Sequence, residues 1–328
     1  MSAVNSFDRN FDAPRFLAYR GQDGDKTKYC VLKITDRGIT EIHTAVEGEL
    51  CCGDIFRGRV EKYNANIDAS FVDIGSGEFL FLKGRYKPGE ELTVEVTALA
   101  FGSKLARCRA DSANISDEIR ERSAHCVKGV RLFSAGDIIT RSAAEAAVTE
   151  GAKWLSEDRE LYELAKAAVP SENIQLYEDK DLPLKAMYGL TTKLGKVLGS
   201  RVPLPSGGEL VISETEAMCV VDVNTAKLIK GKDKEETFLK VNLEAASELA
   251  LQLQARSIAG IIMVDFINMK NKDSETILIS ELKKELKAIY PPARLEDITK
   301  LGIAEISRQR VRGSIRTEAA FLNNTILA

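Results

Sequence analysis

Residues 209–268 read ELVISETEAMCVVDVNTAKLIKGKDKEETFLKVNLEAASELALQLQARSIAGIIMVDFIN, with two short apolar runs on either side of a long amphipathic segment. The runs are AMCVV (217–221) and AGIIMV (259–264). Between them, from 234 to about 256, apolar residues recur at three-to-four spacing, namely Phe238, Val241, Ala245, Leu249 and Leu253. This spacing predicts a helix with one buried face. Two buried strands joined by a helix form a β-α-β unit, nearly always a right-handed crossover between parallel strands of one sheet.

Each predicted strand ends in an aspartate, Asp222 after the first run and Asp265 after the second. Neighbouring strands lie about 4.8 Å apart, so both carboxylates would emerge together at the carboxyl edge, where open α/β sheets bind ligands. Asn224, two residues beyond Asp222, points to the same side. Two carboxylates and an amide oxygen in one cleft favour a bound cation, and all-oxygen ligation suits Mg²⁺ or Mn²⁺.

A structural role is the alternative for each aspartate. An Asp at the end of a strand is often a turn former or the cap of the next helix. Two such residues on partner strands, with Asn224 beside one of them, favour the metal site over two independent turns.

Composition sets broad limits on the class of protein. The chain has 328 residues, 44% of them hydrophobic, which predicts two or more compact units with ordinary cores. No apolar run approaches the roughly 18 residues of a membrane span, and no charged-then-apolar leader is visible, so a cytoplasmic protein is expected. The six cysteines form no C-x-x-C pair and are expected to be reduced. The net charge of -3 means that any RNA binding would depend on local basic clusters and stacking.

Short predicted strands precede this region at close spacing. Residues 29–35 and 38–49 predict two strands, and a further set broken by glycine turns is typical of a small barrel, at 53–60, 68–75, 78–82 and 92–98. Phe71 and Phe79 fall within the barrel segment. Judged from the sequence pattern alone, both phenylalanines are expected to be core residues of the small barrel. On an outer face they would instead stack on bases, for about 1 to 3 kcal/mol each.

Several motifs, in one order, resemble the catalytic half of the ribonuclease E/G family. They are PSGGELVI (205–212), TEA (215–217), VDVNT (221–225), EET (235–237), NLEA (242–245), GIIMVDFINM (260–269) and EISRQR (305–310). So many matches in one order are hard to obtain by chance. The resemblance implies an endoribonuclease that cuts single-stranded RNA, A/U-rich stretches of rRNA precursor or mRNA in particular, and leaves a 5′-phosphorylated downstream fragment.

The resemblance also implies roles for individual residues. Asp222, Asn224 and Asp265 match the positions that hold the catalytic Mg²⁺. The barrel resembles the S1-type oligonucleotide-binding barrel of the family, in which the positions matching Phe71, Phe79 and Lys104 line the RNA-binding face. With the resemblance, RNA contact is therefore preferred to the core position for both aromatic residues.

A second RNA contact is expected in the middle of the chain. Residues 136–143 predict a strand that ends in Arg141 and Ser142, which match the pair that grips the 5′ monophosphate in the family. A forked guanidinium and a hydroxyl suit that role. This region is shorter than the family pattern, so an incomplete pocket, with Arg141 as an ordinary surface residue, is the alternative.

Other basic residues follow the predicted strands. Arg308 and Arg310, after the predicted strand 302–306, are expected to contact backbone phosphates. Lysines follow Asp222 at Lys227, Lys230, Lys232 and Lys234. Such a run is usually only a solvated loop, but beside carboxylates that bind a cation it is also where a phosphodiester would lie. Both interpretations stay open.

The expected fold is α/β with several subdomains. The resemblance implies a ribonuclease H-like subdomain with an inserted S1-type barrel and a small sensor-like region, followed by a DNase I-like α/β catalytic subdomain. The expected boundaries are 1–50 and 171–205 for the ribonuclease H-like subdomain, 51–110 for the barrel, 111–170 for the shortened 5′-sensor-like region and 206–328 for the catalytic subdomain.

The sequence departs from the family pattern at two places. The C-P-x-C zinc-link element is not visible, so no structural zinc is expected, and a monomer or weak dimer is favoured over a zinc-linked tetramer. Asn268 replaces a common second Asp of the family that is not a metal ligand.

His43 and His125 lie outside the catalytic block, which argues against a metal-free, histidine-driven ribonuclease. The main alternative is a non-catalytic S1-type RNA-binding protein, and a third is a Mg²⁺ phosphoesterase acting on DNA or small phosphates.

Overall fold

The computed structural model describes residues 13–77, 79–100, 105–110, 112–134, 137–225 and 234–327. Its strands are β1 (Arg15–Asp23), β2 (Lys26–Thr35), β3 (Gly38–Val46), β4 (Ile55–Asn64), β5 (Ala69–Asp73), β6 (Phe79–Lys83), β7 (Glu91–Ala98), β8 (Arg107–Arg109), β9 (Arg131–Phe133), β10 (Lys153–Ser156), β11 (Ile174–Leu176), β12 (Arg201–Pro203), β13 (Glu209–Glu214), β14 (Met218–Asn224), β15 (Gly260–Asp265), β16 (Ala293–Ile298) and β17 (Ile303–Arg308). Its helices are α1 (Asp117–Ala124), α2 (Ile138–Val148), α3 (Arg159–Ala168), α4 (Leu184–Met187), α5 (Leu190–Leu198), α6 (Lys234–Ala255), α7 (Lys272–Ala288) and α8 (Ala319–Ile326), with a 3-10 helix at Ile315–Glu318. Within these ranges no helix is both long and apolar enough to cross a membrane.

The chain divides into two compact units. One is built from Met1–Gln22, Cys30–Thr44 and Ile139–Ala328, and the other from Asp23–Tyr29 and Ala45–Ile138. The mixed α/β class expected from the sequence is confirmed, because the first unit combines sheets with helices and the second is mainly a sheet.

A six-stranded sheet in the first unit has the order β12-β13-β14-β15-β17-β16. β14 and β15 are parallel neighbours joined by α6, so the predicted β-α-β unit is confirmed. The helices bury alternate side chains of the strands, in a core that includes Val221, Val223, Ala245, Leu249, Leu253, Ile262, Val264, Leu282 and Leu286. Because strand side chains alternate, the intervening residues of β14 and β15 lie on the opposite, exposed face.

A second sheet in this unit has the order β11-β10-β1-β2-β3. β10 pairs in parallel with both β1 and β11. Sequence patterns did not predict β10, since the segment around it is rich in alanine. The core around this sheet comes from its strands and from α4, α5 and α8, and it includes Leu17, Leu32, Ile34, Leu155, Leu184, Leu190, Leu194, Phe321 and Leu322.

The second unit contains a closed five-stranded barrel. Its strands follow the order β5-β6-β8-β7-β4, and a pairing between β5 and β4 closes the ring. The predicted small barrel is therefore confirmed, while β8 is a strand that the sequence patterns missed. The strands approach closely at Gly58, where a Cβ would collide with Val72, so only glycine fits there. The barrel interior is apolar, with Phe56, Val60, Val72, Ile74, Leu80, Leu82, Val94 and Val96.

The strand expected at 136–143 is wrong. From Ile138 onward this segment forms the start of α2, which runs Ile138–Val148. Ile139, Ala143 and Ala146 are buried, which is the three-to-four spacing of a helix, and the alanines have high helix propensity. The short apolar pair at 138–139 looks like part of a strand only when the following alanines are ignored.

Candidate metal and RNA-binding site

The two predicted aspartates lie side by side on the exposed face of the six-stranded sheet. β14 and β15 pair in parallel with Asp222 directly opposite Asp265. Both residues are exposed, while their strand neighbours Val221, Val223 and Val264 are buried. Since neighbouring strands lie about 4.8 Å apart, the two carboxylates share one small region of surface. The structure thus brings together the residues that the sequence placed at the two strand ends.

Asn224 belongs to the same group. Its side-chain Nδ2 donates a hydrogen bond of 2.7 Å to Oδ2 of Asp222. The contact fixes the orientation of that carboxylate and leaves its other oxygen available. Asn224 would offer its own Oδ1 to a cation after a half-turn of the amide.

The donor chemistry of this group fits a small divalent cation. Carboxylates on directly opposite strand positions repel each other, so Asp222 and Asp265 destabilise the sheet locally. Among the described residues, no cluster of three His, Cys, Asp or Glu side chains could hold a metal ion, so the set here is two carboxylates and one amide. Mg²⁺ is commonly held by one or two carboxylates, with waters and substrate phosphates as its remaining ligands. The residues present therefore fit Mg²⁺, and hard oxygen donors accept Mn²⁺ as well.

Side chains of α6 hold the loops around the carboxylates, a role that sequence analysis missed. Asn242 is fully buried and holds Ile267, two residues after β15: its side chain accepts from the Ile267 amide at 3.0 Å and donates to the Ile267 carbonyl at 2.8 Å. Glu235 accepts from the amides of Lys270 and Asn271, both at 2.8 Å. The sequence carried one signal for this role, because Asn242 lies among the apolar residues of the predicted helix and a buried amide needs hydrogen-bond partners.

A similar contact holds the loop before β13. Glu244, also on α6, accepts from the Ser206 amide at 2.9 Å and from the Ser206 hydroxyl at 2.7 Å. The motifs PSGG and NLEA, which lie far apart in the sequence, therefore touch each other. α6 positions the chain on both sides of the carboxylate pair.

The prediction that Arg308 binds RNA is wrong. Arg308 is only 5% exposed, and its guanidinium donates to four backbone carbonyls. These are Pro291 at 2.9 Å, Leu253 at 2.6 Å, Ile258 at 2.7 Å and Tyr290 at 2.8 Å. Burial lowers the pKa of Arg308 to about 10. The side chain is a structural tie between the end of α6, the start of β15 and the turn before β16.

Two other predicted basic contacts lie on the surface. Arg310 is exposed beyond the end of β17, and its guanidinium lies near Gly260. Gly260 begins β15 and Asp265 ends it, so Arg310 is roughly 16 Å from the carboxylates along the strand. Lys234 is exposed at the start of α6. The other lysines of this run, Lys227, Lys230 and Lys232, lie outside the described residues, and RNA contact by any of these residues stays a prediction.

The barrel aromatics are not core residues, so the alternative interpretation of Phe71 and Phe79 is wrong. Phe79 is 43% exposed on β6, and Phe71 is half-buried on the outer side of β5. Lys62 lies over the Phe71 ring, with Nζ 5.0 Å from the centroid. Phe81 packs edge-on against Phe71, with ring centroids 6.4 Å apart. Lys104 lies outside the described residues.

Phe81 is an aromatic residue of this face that sequence analysis missed. It follows Phe79 by two positions on one strand, and that alternation places both side chains on the same side of the sheet. Its register partner on β5 is Phe71. The three rings and Lys62 form what we call the aromatic face of the barrel, and its contact with RNA stays a prediction.

The expected phosphate grip of Ser142 is wrong. Ser142 is 8% exposed on α2, donates to the Ile139 carbonyl at 3.0 Å and accepts from the Trp154 indole at 2.9 Å. Its hydroxyl is therefore used in the interior. Arg141 points to the exposed side of the same helix, so the two side chains do not form one pocket. Phosphate binding by Arg141 without Ser142 stays a prediction.

Arg141 lies near a half-buried histidine, His43. Nη1 of Arg312 lies 2.6 Å from Nδ1 of His43, whose Nε2 lies 3.0 Å from the Glu41 carboxylate. A guanidinium can only donate, so Nδ1 accepts and Nε2–H donates to Glu41, which makes His43 neutral. Burial lowers the pKa of His43, and the positive charges of Arg312 and Arg141 lower it further, against the opposing effect of Glu41.

Comparison with known proteins identifies the family. The sequence model of the ribonuclease E/G family matches residues 100–311, which include Asp222, Asn224 and Asp265. The chain belongs to the ribonuclease E/G family. The resemblance noted in the sequence is confirmed, while Phe71, Phe79 and Phe81 precede the matched segment.

Relatives in this family match part of the chain. It is 37% identical over 139 residues to a chloroplastic ribonuclease E/G-like protein of Arabidopsis thaliana, covering 42% of this chain and 14% of that protein. It is 35% identical over 145 residues to ribonuclease E of Escherichia coli, covering 44% and 14%. It is 34% identical over 145 residues to ribonuclease G of Haemophilus influenzae, covering 44% and 29%. The matched stretch is thus less than a third of each relative.

Proposed function

We propose that this protein is a Mg²⁺-dependent endoribonuclease that cleaves single-stranded RNA in RNA processing or decay. The single observation that carries the proposal is the parallel register of Asp222 with Asp265 on an exposed sheet face, within the segment that matches the family. The relatives named ribonuclease E and ribonuclease G support RNA as the substrate.

The chemistry follows from the donor set. When bound, Mg²⁺ would activate water and neutralise the charge that develops at the scissile phosphate. Asp222 and Asp265 would hold it, with Asn224 completing the set directly or through a water molecule. The Asn224 amide holds the Asp222 carboxylate in place, and the buried Asn242 fixes the chain just beyond Asp265. Departure of the 3′ oxygen gives a 5′-phosphorylated downstream product.

The remaining assignments extend this proposal. The closed barrel acts as an S1-type RNA-binding module through its aromatic face, since exposed rings stack on bases whatever their sequence. The unit containing the six-stranded sheet supplies the DNase I-like catalytic subdomain and the ribonuclease H-like subdomain. The substrate is A/U-rich RNA, and the protein acts as a monomer or weak dimer.

A cleavage assay tests the function. A labelled single-stranded A/U-rich RNA is incubated with the protein in Mg²⁺, in Mn²⁺ and with a chelator, and the products are scored for internal cuts and for 5′ phosphate. Asp222→Asn reduces cutting at least about 10 to 100-fold. Asp297→Asn, which changes an exposed carboxylate of β16 in the same sheet, is the matched control and leaves cutting intact. Equal cutting with the chelator, or by Asp222→Asn, contradicts the proposal.

A non-catalytic RNA-binding protein is the second candidate. The observation that favours it is the aromatic face itself, because stacking needs no metal and the barrel lies in the other compact unit from the carboxylates. The same assay separates the two functions. RNA that is bound but never cut, in either metal, supports the binding protein.

A further inference from the structure

An open cavity of about 270 Å³ lies in the unit that contains the six-stranded sheet. Its wall includes the end of α5 with Ser200 after it, the end of β13, and the start of the 3-10 helix. Three charged side chains line it, namely Glu214, Arg256 and Arg316. None of these residues belongs to the carboxylate group or to the aromatic face.

Arg256 places a buried positive charge on the cavity wall. The residue is 4% exposed, its Nε donates to Gln252 at 2.7 Å and its Nη2 donates to the Lys196 carbonyl at 3.0 Å. Within the described part of the chain its Nη1 donates no hydrogen bond, and Arg256 forms no salt bridge. Glu248, a nearby carboxylate, is paired with Lys196 at 3.1 Å. Burial lowers the pKa of Arg256 by more than the nearby carboxylates of Glu214 and Glu248 raise it. A buried charge that is only partly compensated is costly, and an anion in the cavity would relieve that cost.

Arg316 adds a second positive charge at the cavity mouth. It is exposed on the 3-10 helix, and among the described residues its guanidinium forms no salt bridge. Glu214 is the opposing charge, but Ser314 already donates to its Oε2 at 2.5 Å. Two guanidiniums against one carboxylate leave the cavity with a net positive charge.

The cavity lining also suggests the rest of the ligand. Planar guanidiniums present several N–H groups in a geometry that matches phosphate oxygens. Val197 and Ile315 supply an apolar wall beside them, and Ser200 and Ser213 supply hydroxyls. A phosphate attached to a flat, partly apolar group uses all three kinds of surface. The small volume limits such a ligand to about one nucleotide.

We propose that this cavity binds the phosphate of a single nucleotide, held by Arg256 and Arg316, with the sugar or base against Val197 and Ile315. The nucleotide is either free or part of an RNA strand. Glu214 lies opposite Cys219, three residues before Asp222 on β14 and on the opposite, buried face, so the charged part of the cavity lies roughly 10 Å from the level of the carboxylate pair. If the nucleotide is part of an RNA molecule, this inference rests on the proposed function, because that RNA would have to extend from the cavity to the cleavage site.

Calorimetric titration with adenosine 5′-monophosphate, inorganic phosphate and adenosine tests the proposal. We expect the monophosphate to bind at least about tenfold more tightly than adenosine. Arg316→Ala weakens that binding at least about tenfold, while Glu214→Gln strengthens it, because it removes a negative charge and keeps an acceptor for Ser314. Arg159→Ala, an exposed arginine on α3, is the matched control and changes nothing. No binding of the monophosphate, or the same affinity in Arg316→Ala and Glu214→Gln, overturns the proposal.

A short RNA distinguishes the two sources of the nucleotide. If a trinucleotide binds more tightly than the monophosphate and loses the same factor in Arg316→Ala, the site holds a nucleotide of an RNA strand. If the two bind equally, the ligand is a free nucleotide. Loss of the proposed function has a different signature: the wild-type protein fails to cut RNA but still binds the monophosphate with Arg316 dependence.

Discussion

Replacement of Arg308 by Met should destabilise the fold without changing the affinity for RNA. Met keeps most of the apolar volume of the stem but removes the donors of four backbone carbonyls. A buried carbonyl left without its donor costs about 1 to 3 kcal/mol, and removing the desolvation cost of the guanidinium offsets part of that loss. We therefore expect a loss of about 4 kcal/mol, comparable to breaking a buried charged pair.

Urea denaturation measures this loss. At an m-value of about 2 kcal/mol per molar urea, a change of about 4 kcal/mol lowers the midpoint by about 2 M. Arg310→Met is the matched control, because Arg310 is exposed two residues further along and should leave the midpoint within a few tenths of a molar. Binding of a single-stranded RNA is measured on both variants below their unfolding transitions. An Arg308→Met protein with an unchanged midpoint and weakened RNA binding would refute the structural role.

Asp222→Asn should reduce cleavage at least about 10 to 100-fold with little effect on the melting temperature or RNA binding, measured by initial rates, calorimetry and titration. Replacing Phe71 and Phe79 by Leu should weaken RNA binding by roughly 2 kcal/mol with a small loss of thermal stability, whereas a large loss of stability at equal affinity would show a core role. Burial lowers the pKa of His43 below its ordinary 6.5, so the unfolded chain takes up the proton at a higher pH than the folded protein does. The free energy of unfolding should therefore fall as the pH drops below about 6.5 and should level off below the pKa of the folded state. In urea titrations between pH 5 and about 8, His43→Gln should flatten this dependence. RNA with a 5′ monophosphate should be cut less than about tenfold faster than RNA with a 5′ hydroxyl, since the Ser142 hydroxyl is used in the interior. A preference above about tenfold that Arg141→Ala erases would show an intact pocket.

The sequence predicted the parts of the site that depend on local periodicity. Apolar runs and a helical spacing are local patterns, so the parallel pair of β14 and β15, and with it the meeting of Asp222 and Asp265, was predictable. The same reasoning applied to β17 would have placed Arg308 on the buried face, but it could not have separated Arg308 from Arg310. Ala304, Ile306 and Arg308 alternate on the buried face of that strand, and the motif EISRQR does not show where the strand ends.

Contacts between distant parts of the chain were not predictable in this way. Asn242 clamps Ile267 across 25 residues, and Ser142 accepts from Trp154 because β10 joins the sheet beside α2. Neither contact has a local pattern, since each depends on how separate elements pack. The aromatic face is an intermediate case: alternation on β6 indicates that Phe79 and Phe81 share a side, but closure of the barrel decides that the side is the outer one.

The parallel register of the two aspartates also ties the proposed cation site to the order of folding. Asp222 and Asp265 come from strands separated by the whole of α6, and a parallel pair cannot close through a short hairpin. The crossover must form, at the entropic expense of closing a long loop, before the second carboxylate arrives beside the first. A chain still emerging from the ribosome would therefore present only one of the two carboxylates, and its proposed cation site would be incomplete. An enzyme that cuts RNA would in this way stay inert beside the messenger that encodes it until its sheet is complete.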